Sequence, residues 1–212
     1  MKILIIRRDN IGDLVCTTPA IAALRAHYPD AEIAALVNSY NAEVLYNNPN
    51  LDHTFVYQKL KHAGGLASRF KAVNQRLKLI AKLRRWKPDV TILAKAGYER
   101  HGLSFARQIG AKNIIGYLPD NPAQTKGLPD VRLPAPVFNT LHEVEAVNGL
   151  LKPLNIAIAP GPLQVFPDAL VVAALKSRLP VANKRIALHI SAREAERRWG
   201  NDNFIALTQY IL

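Results

Sequence analysis

Lys2-Ile3-Leu4-Ile5-Ile6-Arg7-Arg8-Asp9-Asn10-Ile11-Gly12-Asp13 is the stretch that decides the fold class. Residues 2–7 are a nearly unbroken apolar run, which reads as a strand buried on both faces, because a strand with one wet face alternates polar and apolar positions. Polar residues and a glycine end it. From residue 13 to 27, Leu14, Val15, Ile21, Ala22 and Leu24 then recur as on a helix. Outward from this strand–turn–helix the alternation repeats. Strands are predicted at 31–37, 51–57, 89–94 and 113–117, with helices at 40–47, 66–86 and 102–108. Such alternation predicts an α/β fold, a Rossmann-like parallel sheet with helices on both faces. Ligands in such sheets bind beyond the carboxyl ends of the strands.

Residues 118–136 change character. Pro119, Pro122, Pro129, Pro134, Pro136 and Gly127 predict a long loop. A helix is expected at 141–151, a proline-rich irregular stretch at 155–167, and a helix capped by Asp168 through 177. A new strand at 184–190 and a helix at 202–212 follow. One strand and one helix bury no core alone. The reading is therefore a domain at 1–180, with 181–212 opening a second, incomplete domain of a longer protein; docking of this unit onto the first domain is the other solution.

The net charge of +12 points to a polyanionic partner, or to an ordinary solvated surface. Arg69, Lys71, Arg76, Lys78, Lys82, Arg84, Arg85 and Lys87 bring eight positive charges to segment 66–87 with no acid among them. That density suits a phosphorylated glycolipid or an anionic leaflet. Leu66, Phe70, Val73, Leu77 and Ile80 lie at helical spacing and are expected to face the core. Nucleic acid is disfavoured, because the only interleaved aromatics, Phe70 and Trp86, fit the core pattern. Cys16 is the single cysteine, so an internal disulfide is impossible and a reducing compartment is the natural reading. The apolar run at the start is too short for a signal peptide or a membrane span, so the expectation is a soluble, cytoplasmic protein.

Two stretches carry chemistry. In Arg8-Asp9-Asn10-Ile11-Gly12-Asp13, Gly12 permits a tight turn and a close approach. Asp13, at the start of a helix, is either an N-cap or a charged acceptor and general base. Thr17 and Thr18 either cap the helix ahead of Pro19 or face the crevice. In the stretch from His189 to Trp199, the guanidinium groups of Arg193, Arg197 and Arg198 suit a diphosphate, and a helix start near 201–203 adds backbone donors. A surface loop with Arg–Glu pairs through Glu194 and Glu196 fits the same residues. The chain has no Gly-x-Gly-x-x-Gly after its first strand, no Asp-x-Asp pair and no Cys/His cluster with metal spacing, so neither a metal nor a cofactor is expected.

The run from Ile5 to Val15, followed by Thr18-Pro19-Ala20-Ile21 and Leu24-Arg25, resembles the amino-terminal signature of the lipopolysaccharide heptosyltransferases, glycosyltransferase family 9. Leu141-His142-Glu143-Val144-Glu145 through Leu154, and His189 through Trp199 with Asn203-Phe204 and Leu207, are similar to later elements of that family, in the family's order. The resemblance implies a GT-B arrangement, an amino-terminal acceptor domain and a carboxy-terminal donor domain. It implies metal-independent, inverting transfer of heptose from ADP-heptose to the lipopolysaccharide inner core, on the inner face of the inner membrane. Asp13 would be the base; Asn10, Gly12, Thr17 and Thr18 would bind acceptor; Ser191, Arg193, Arg197 and Arg198 would bind donor. Arg197 stands where the family has the lysine of a Lys-x-Trp element. The family's later donor-binding elements have no counterpart here, so weak donor binding is expected. A non-catalytic module that binds glycolipid or a partner chain is the alternative.

Overall fold

The computed structural model describes residues 1–58, 66–121, 123, 127–136, 140–179, 184–192 and 195–211, with the side chains of helix 66–86 described from residue 73 onward. Strand β1 (Lys2–Ile6) is buried from Ile3 to Ile6, as its unbroken apolar run requires. Successive side chains point to opposite faces. Ile3 and Ile5 therefore pack with Leu14, Ile21, Leu24, Val147 and Leu150, whereas Leu4 and Ile6 pack with Leu83, Leu103 and Phe105. The strands β2 (Glu32–Asn38), β3 (His53–Tyr57), β4 (Val90–Leu93), β5 (Ile114–Tyr117) and β6 (Val131–Leu133) join it in the order β3-β2-β1-β4-β5-β6. Every neighbouring pair is parallel. Helices α1 (Ile11–Val15), α2 (Thr18–His27) and α5 (Glu143–Gly149) cover one face; α3 (Leu66–Trp86) and α4 (Arg100–Gln108) cover the other. The strand order reverses between β1 and β4, so the connections diverge there and leave a crevice beyond their carboxyl ends.

The helix expected at 13–27 is two helices. The Thr17 hydroxyl donates to the Asp13 carbonyl at 2.9 Å and the Thr18 hydroxyl to that of Val15 at 2.8 Å, at a break that suits Pro19 in the first turn of α2. The expected long loop contains β6. Its edge position tolerates the flanking Pro129 and Pro134, and Asp130 fixes it by accepting the Ile114 N–H at 2.9 Å while pairing with Arg107 at 2.7 Å.

The inward face of α3 also differs. Leu83 is buried and Leu79, Ile80 and Trp86 pack against it, whereas Val73 and Leu77 are exposed at 45% and 60%. Among the described side chains, contact with that core is made by the last two turns of the helix; Leu66, Phe70, Arg69 and Lys71 lie outside the described side chains.

The chain divides into two compact units, Met1–Ala169 and Leu170–Leu212. The second contains most of α6 (Ala169–Arg178), which the sequence reading grouped with the first domain, and α7 (Asn201–Ile211). The strand expected at 184–190 does not form; the segment has no strand partner among the described residues, and a ladder requires one. Neither α6 nor α7 buries a residue. Among the described residues no helix is long and apolar enough to cross a membrane.

Candidate active site

Arg7 leaves β1 as a buried cation, 2% exposed. A charge in that position requires partners, and the turn into α1 supplies the first of them. Its Nη2 lies 3.5 Å from Asp9 Oδ2 and 3.4 Å from Asp13 Oδ1. Its Nη1 donates to Glu143 Oε1 at 2.8 Å and to the Ala94 carbonyl just beyond β4. One guanidinium thus ties the β1–α1 turn, the end of β4 and the first turn of α5 together.

Asp13 is the third residue of α1. Its Oδ2 accepts the Asn10 backbone N–H at 2.9 Å and the Asn10 side-chain amide at 3.2 Å. The carboxylate therefore serves the helix start and the cleft at once: one oxygen is held at the helix start and the other turns to Arg7. The N-cap is Asn10, so Asp13 serves the helix start as the N3 partner of the capping box rather than as the cap residue itself.

Two asparagines brace the turn from behind. Asn38 Nδ2 donates to the carbonyls of Arg8 and Asp9 at 2.9 and 3.1 Å, and Asn41 Nδ2 to that of Asp9 at 3.2 Å. Arg8 lies over the Tyr57 ring, 5.2 Å from its centroid, donates to its hydroxyl at 2.8 Å and reaches Glu99 at 3.5 Å. Glu99 also holds Lys95 at 3.6 Å. Burial pushes the Asp9 carboxyl up from the ordinary range, against the lowering pull of Arg7 and Lys95.

These groups surround a cleft of about 390 Å³ lined by Arg7, Asp9, Asn10, Asp13, Lys95, Ala96 and Glu143. Three carboxylates face two cations there, so the strongly basic character of the chain is not concentrated in the cleft. Ionised carboxylates accept hydrogen bonds only, which suits a polyhydroxylated ligand. Among the described residues no group of His, Cys, Asp and Glu is arranged to hold a metal ion.

Of the residues singled out from sequence, Asp13 and Asn10 line the cleft together. Gly12 lies within α1 with ordinary backbone angles, so no tight turn requires it; a Cβ there would meet nothing within 4 Å, which leaves open space above the helix. Thr17 and Thr18 are fully buried, and their hydroxyls bond to backbone rather than line the cleft. Thr18 Oγ1 also accepts the Gln164 N–H at 2.9 Å.

In the second unit Ser191, Arg197 and Arg198 are exposed, and Arg198 Nε donates to the Ala192 carbonyl at 2.8 Å. Arg193 lies outside the described residues. Sequence reasoning gave no individual role to Arg7, Asp9 or Glu143, though it quoted the motifs that hold them, and passed over Lys95, Asn38 and Asn41. Their signal was position: Asn38 ends β2, Lys95 follows β4, and Glu143 opens α5, all at the ligand end of the sheet.

No protein-family model matches the chain. A segment of 58 residues is 41% identical to a Haemophilus influenzae protein described as "Putative glycosyltransferase", a match that covers 27% of this chain and 17% of that protein. The solved structure of a glycosyl transferase family 9 protein from Veillonella parvula superposes with a TM-score of 0.77 at 18% identity, over 99% of this chain and 59% of that one. E. coli heptosyltransferase WaaC with ADP gives 0.70 at 14% identity, over 100% and 64%. E. coli ADP-heptose lps heptosyltransferase II gives 0.67 at 18%, over 100% and 61%. The fold is that of the family 9 heptosyltransferases, of GT-B type, and the chain spans less than two thirds of the length of each of these structures.

Proposed function

We propose that this chain serves a glycosyltransferase of the heptosyltransferase type, which moves heptose from ADP-heptose to the inner core of lipopolysaccharide with inversion at the anomeric carbon. The observation that carries the reading is the Asp13 carboxylate, fixed by Asn10 and Arg7 at the mouth of the crevice. In the reaction an acceptor hydroxyl gives its proton to Asp13 while its oxygen attacks the anomeric carbon. The bond from that carbon to the diphosphate breaks, and the diphosphate leaves with the electron pair. Asn10 orients the base. The open space above Gly12 gives room for the acceptor ring. Ser191, Arg193, Arg197 and Arg198 are assigned to the donor diphosphate, where guanidinium groups offset the leaving charge. The donor part is assigned to 181–212 and the acceptor part to 1–180.

The exposed Lys78, Lys82 and Arg85 on α3, with Lys87 just beyond its end, are assigned to an anionic membrane surface. A second reading, a module that binds glycolipid without catalysis, is favoured by one observation: α7 buries nothing, and among the described residues the part assigned to donor has no buried side chain.

The test is a transfer assay with ADP-heptose and core-truncated lipopolysaccharide, read by mass spectrometry. A heptose mass gain that falls at least about a hundredfold in Asp13→Asn supports the enzyme and the base. No gain, with core-truncated lipopolysaccharide still bound, supports the module instead.

A further inference from the structure

Glu143 stands apart from the residues assigned to transfer. It comes from α5, on the far side of the crevice from α1, yet its Oε1 takes the shortest of the carboxylate contacts to Arg7 at 2.8 Å and also accepts the Ala96 N–H at 3.4 Å. Asp13 and Asp9 share the other nitrogen of the same guanidinium at 3.4 and 3.5 Å, ordinary ion-pair distances rather than close hydrogen bonds. Arg7 Nε is buried without a partner, so the side chain is held by its two terminal nitrogens alone.

We propose that Glu143 is a positioning residue for Asp13, acting through Arg7: it anchors the guanidinium across the crevice and draws off part of its charge, so that Asp13 is oriented by Arg7 without being silenced by it. The proposal rests on the reading of Asp13 as the proton acceptor. A base locked in a close one-to-one pair with arginine is a poor proton acceptor, because the pair favours its charged form. A guanidinium divided among three carboxylates holds the base while its field is balanced by the other two. The charged and titratable groups around Asp13 are Arg7 and Asp9 from the β1–α1 turn, Cys16 from the end of α1, Lys95 and Glu99 beyond β4, and Glu143 from α5. Of these, Glu143 is the acid that reaches Arg7 from a separate element, so its removal leaves the turn's own sequence intact.

The experiment follows the Asp13 side-chain carboxyl carbon by NMR as a function of pH in the chain as it stands, in Glu143→Gln and in Arg7→Met. Loss of the Glu143 charge is expected to move the Asp13 titration to lower pH, and loss of Arg7 to move it to higher pH. Glu143 is only partly buried and glutamine is isosteric, so this variant decides the matter even where Arg7→Met does not fold. Coincident titrations in the unaltered chain and Glu143→Gln would overturn the proposal, as would a shift to higher pH. The transfer assay separates the two claims. Shifted titrations with no transfer leave the charge link standing and remove the base assignment, whereas transfer with coincident titrations does the reverse.

Discussion

At the residue scale, Tyr117 shows how burial of one polar atom becomes a pH dependence. Its hydroxyl donates to the Ala146 carbonyl at 2.5 Å inside the core beneath α5. Burial, with the Glu143 charge adding to it, pushes the phenol up to about 12 from 10.0. The folded state therefore keeps a proton that the unfolded chain gives up. The resulting stabilisation is complete below pH 10 and is lost as pH rises from there through about 12. Tyr117→Phe is expected to cost about 1 kcal/mol at neutral pH, from the carbonyl left unpaired. It should also flatten the decline above pH 10, and urea titrations at pH 8 and pH 11 measure both. The candidate base itself was legible in sequence because Gly-Asp at a strand-to-helix junction is a local pattern. Arg7 was quoted in the same motif without a role, since its partners Ala94 and Glu143 are remote in the chain and no local spacing announces them.

At the scale of elements, α5 carries a conflict between propensity and packing. Gly149 lies in its last turn, where alanine is intrinsically better by up to about 1 kcal/mol. A Cβ there would stand 2.8 Å from the Tyr117 hydroxyl, closer than packing allows, and would disturb its bond to Ala146. Packing wins: Gly149→Ala is expected to lower the thermal midpoint, and the same change in a Tyr117→Phe background to leave it unchanged or raise it, a double-mutant cycle with a change of sign. The central strands and helices were readable because each carries enough apolar residues to state its period. Strand β6 was not, because three residues between prolines state none; it is fixed by Asp130 and the β5 edge, contacts made through space. The error at 184–190 has the opposite cause. Ile186, Leu188 and Ile190 alternate as a strand should, but alternation supplies only the faces of a strand, and among the described residues its edges have no strand neighbour to bond.

At the scale of the whole molecule, the excess of positive charge and the location of the cleft are separate facts. The cleft lining is slightly acidic, while α3 and the residue after it expose Lys78, Lys82, Arg85 and Lys87, and α3 belongs to the layer that covers the opposite face of the sheet from α1 and α5. If that helix meets an anionic leaflet, binding to vesicles containing anionic lipid should fall steeply between 50 and 300 mM salt, as about 1 kcal/mol per basic residue is screened. Replacing the four cations by alanine should abolish it without unfolding the chain, as sedimentation with vesicles and circular dichroism would record. Salt-insensitive binding would remove the assignment.

The three-way grip on Arg7 has a consequence for how the molecule comes into being. The β1–α1 turn is among the first segments of the chain, but the groups that hold its guanidinium come from the end of β4 and from α5, long loop closures away. Secondary structure near the amino terminus can form early while the cleft has no far wall. Pairing of β1 with β4 already brings Ala94 to Arg7, so the wall that waits on the longest loop closure is the one Glu143 supplies from α5.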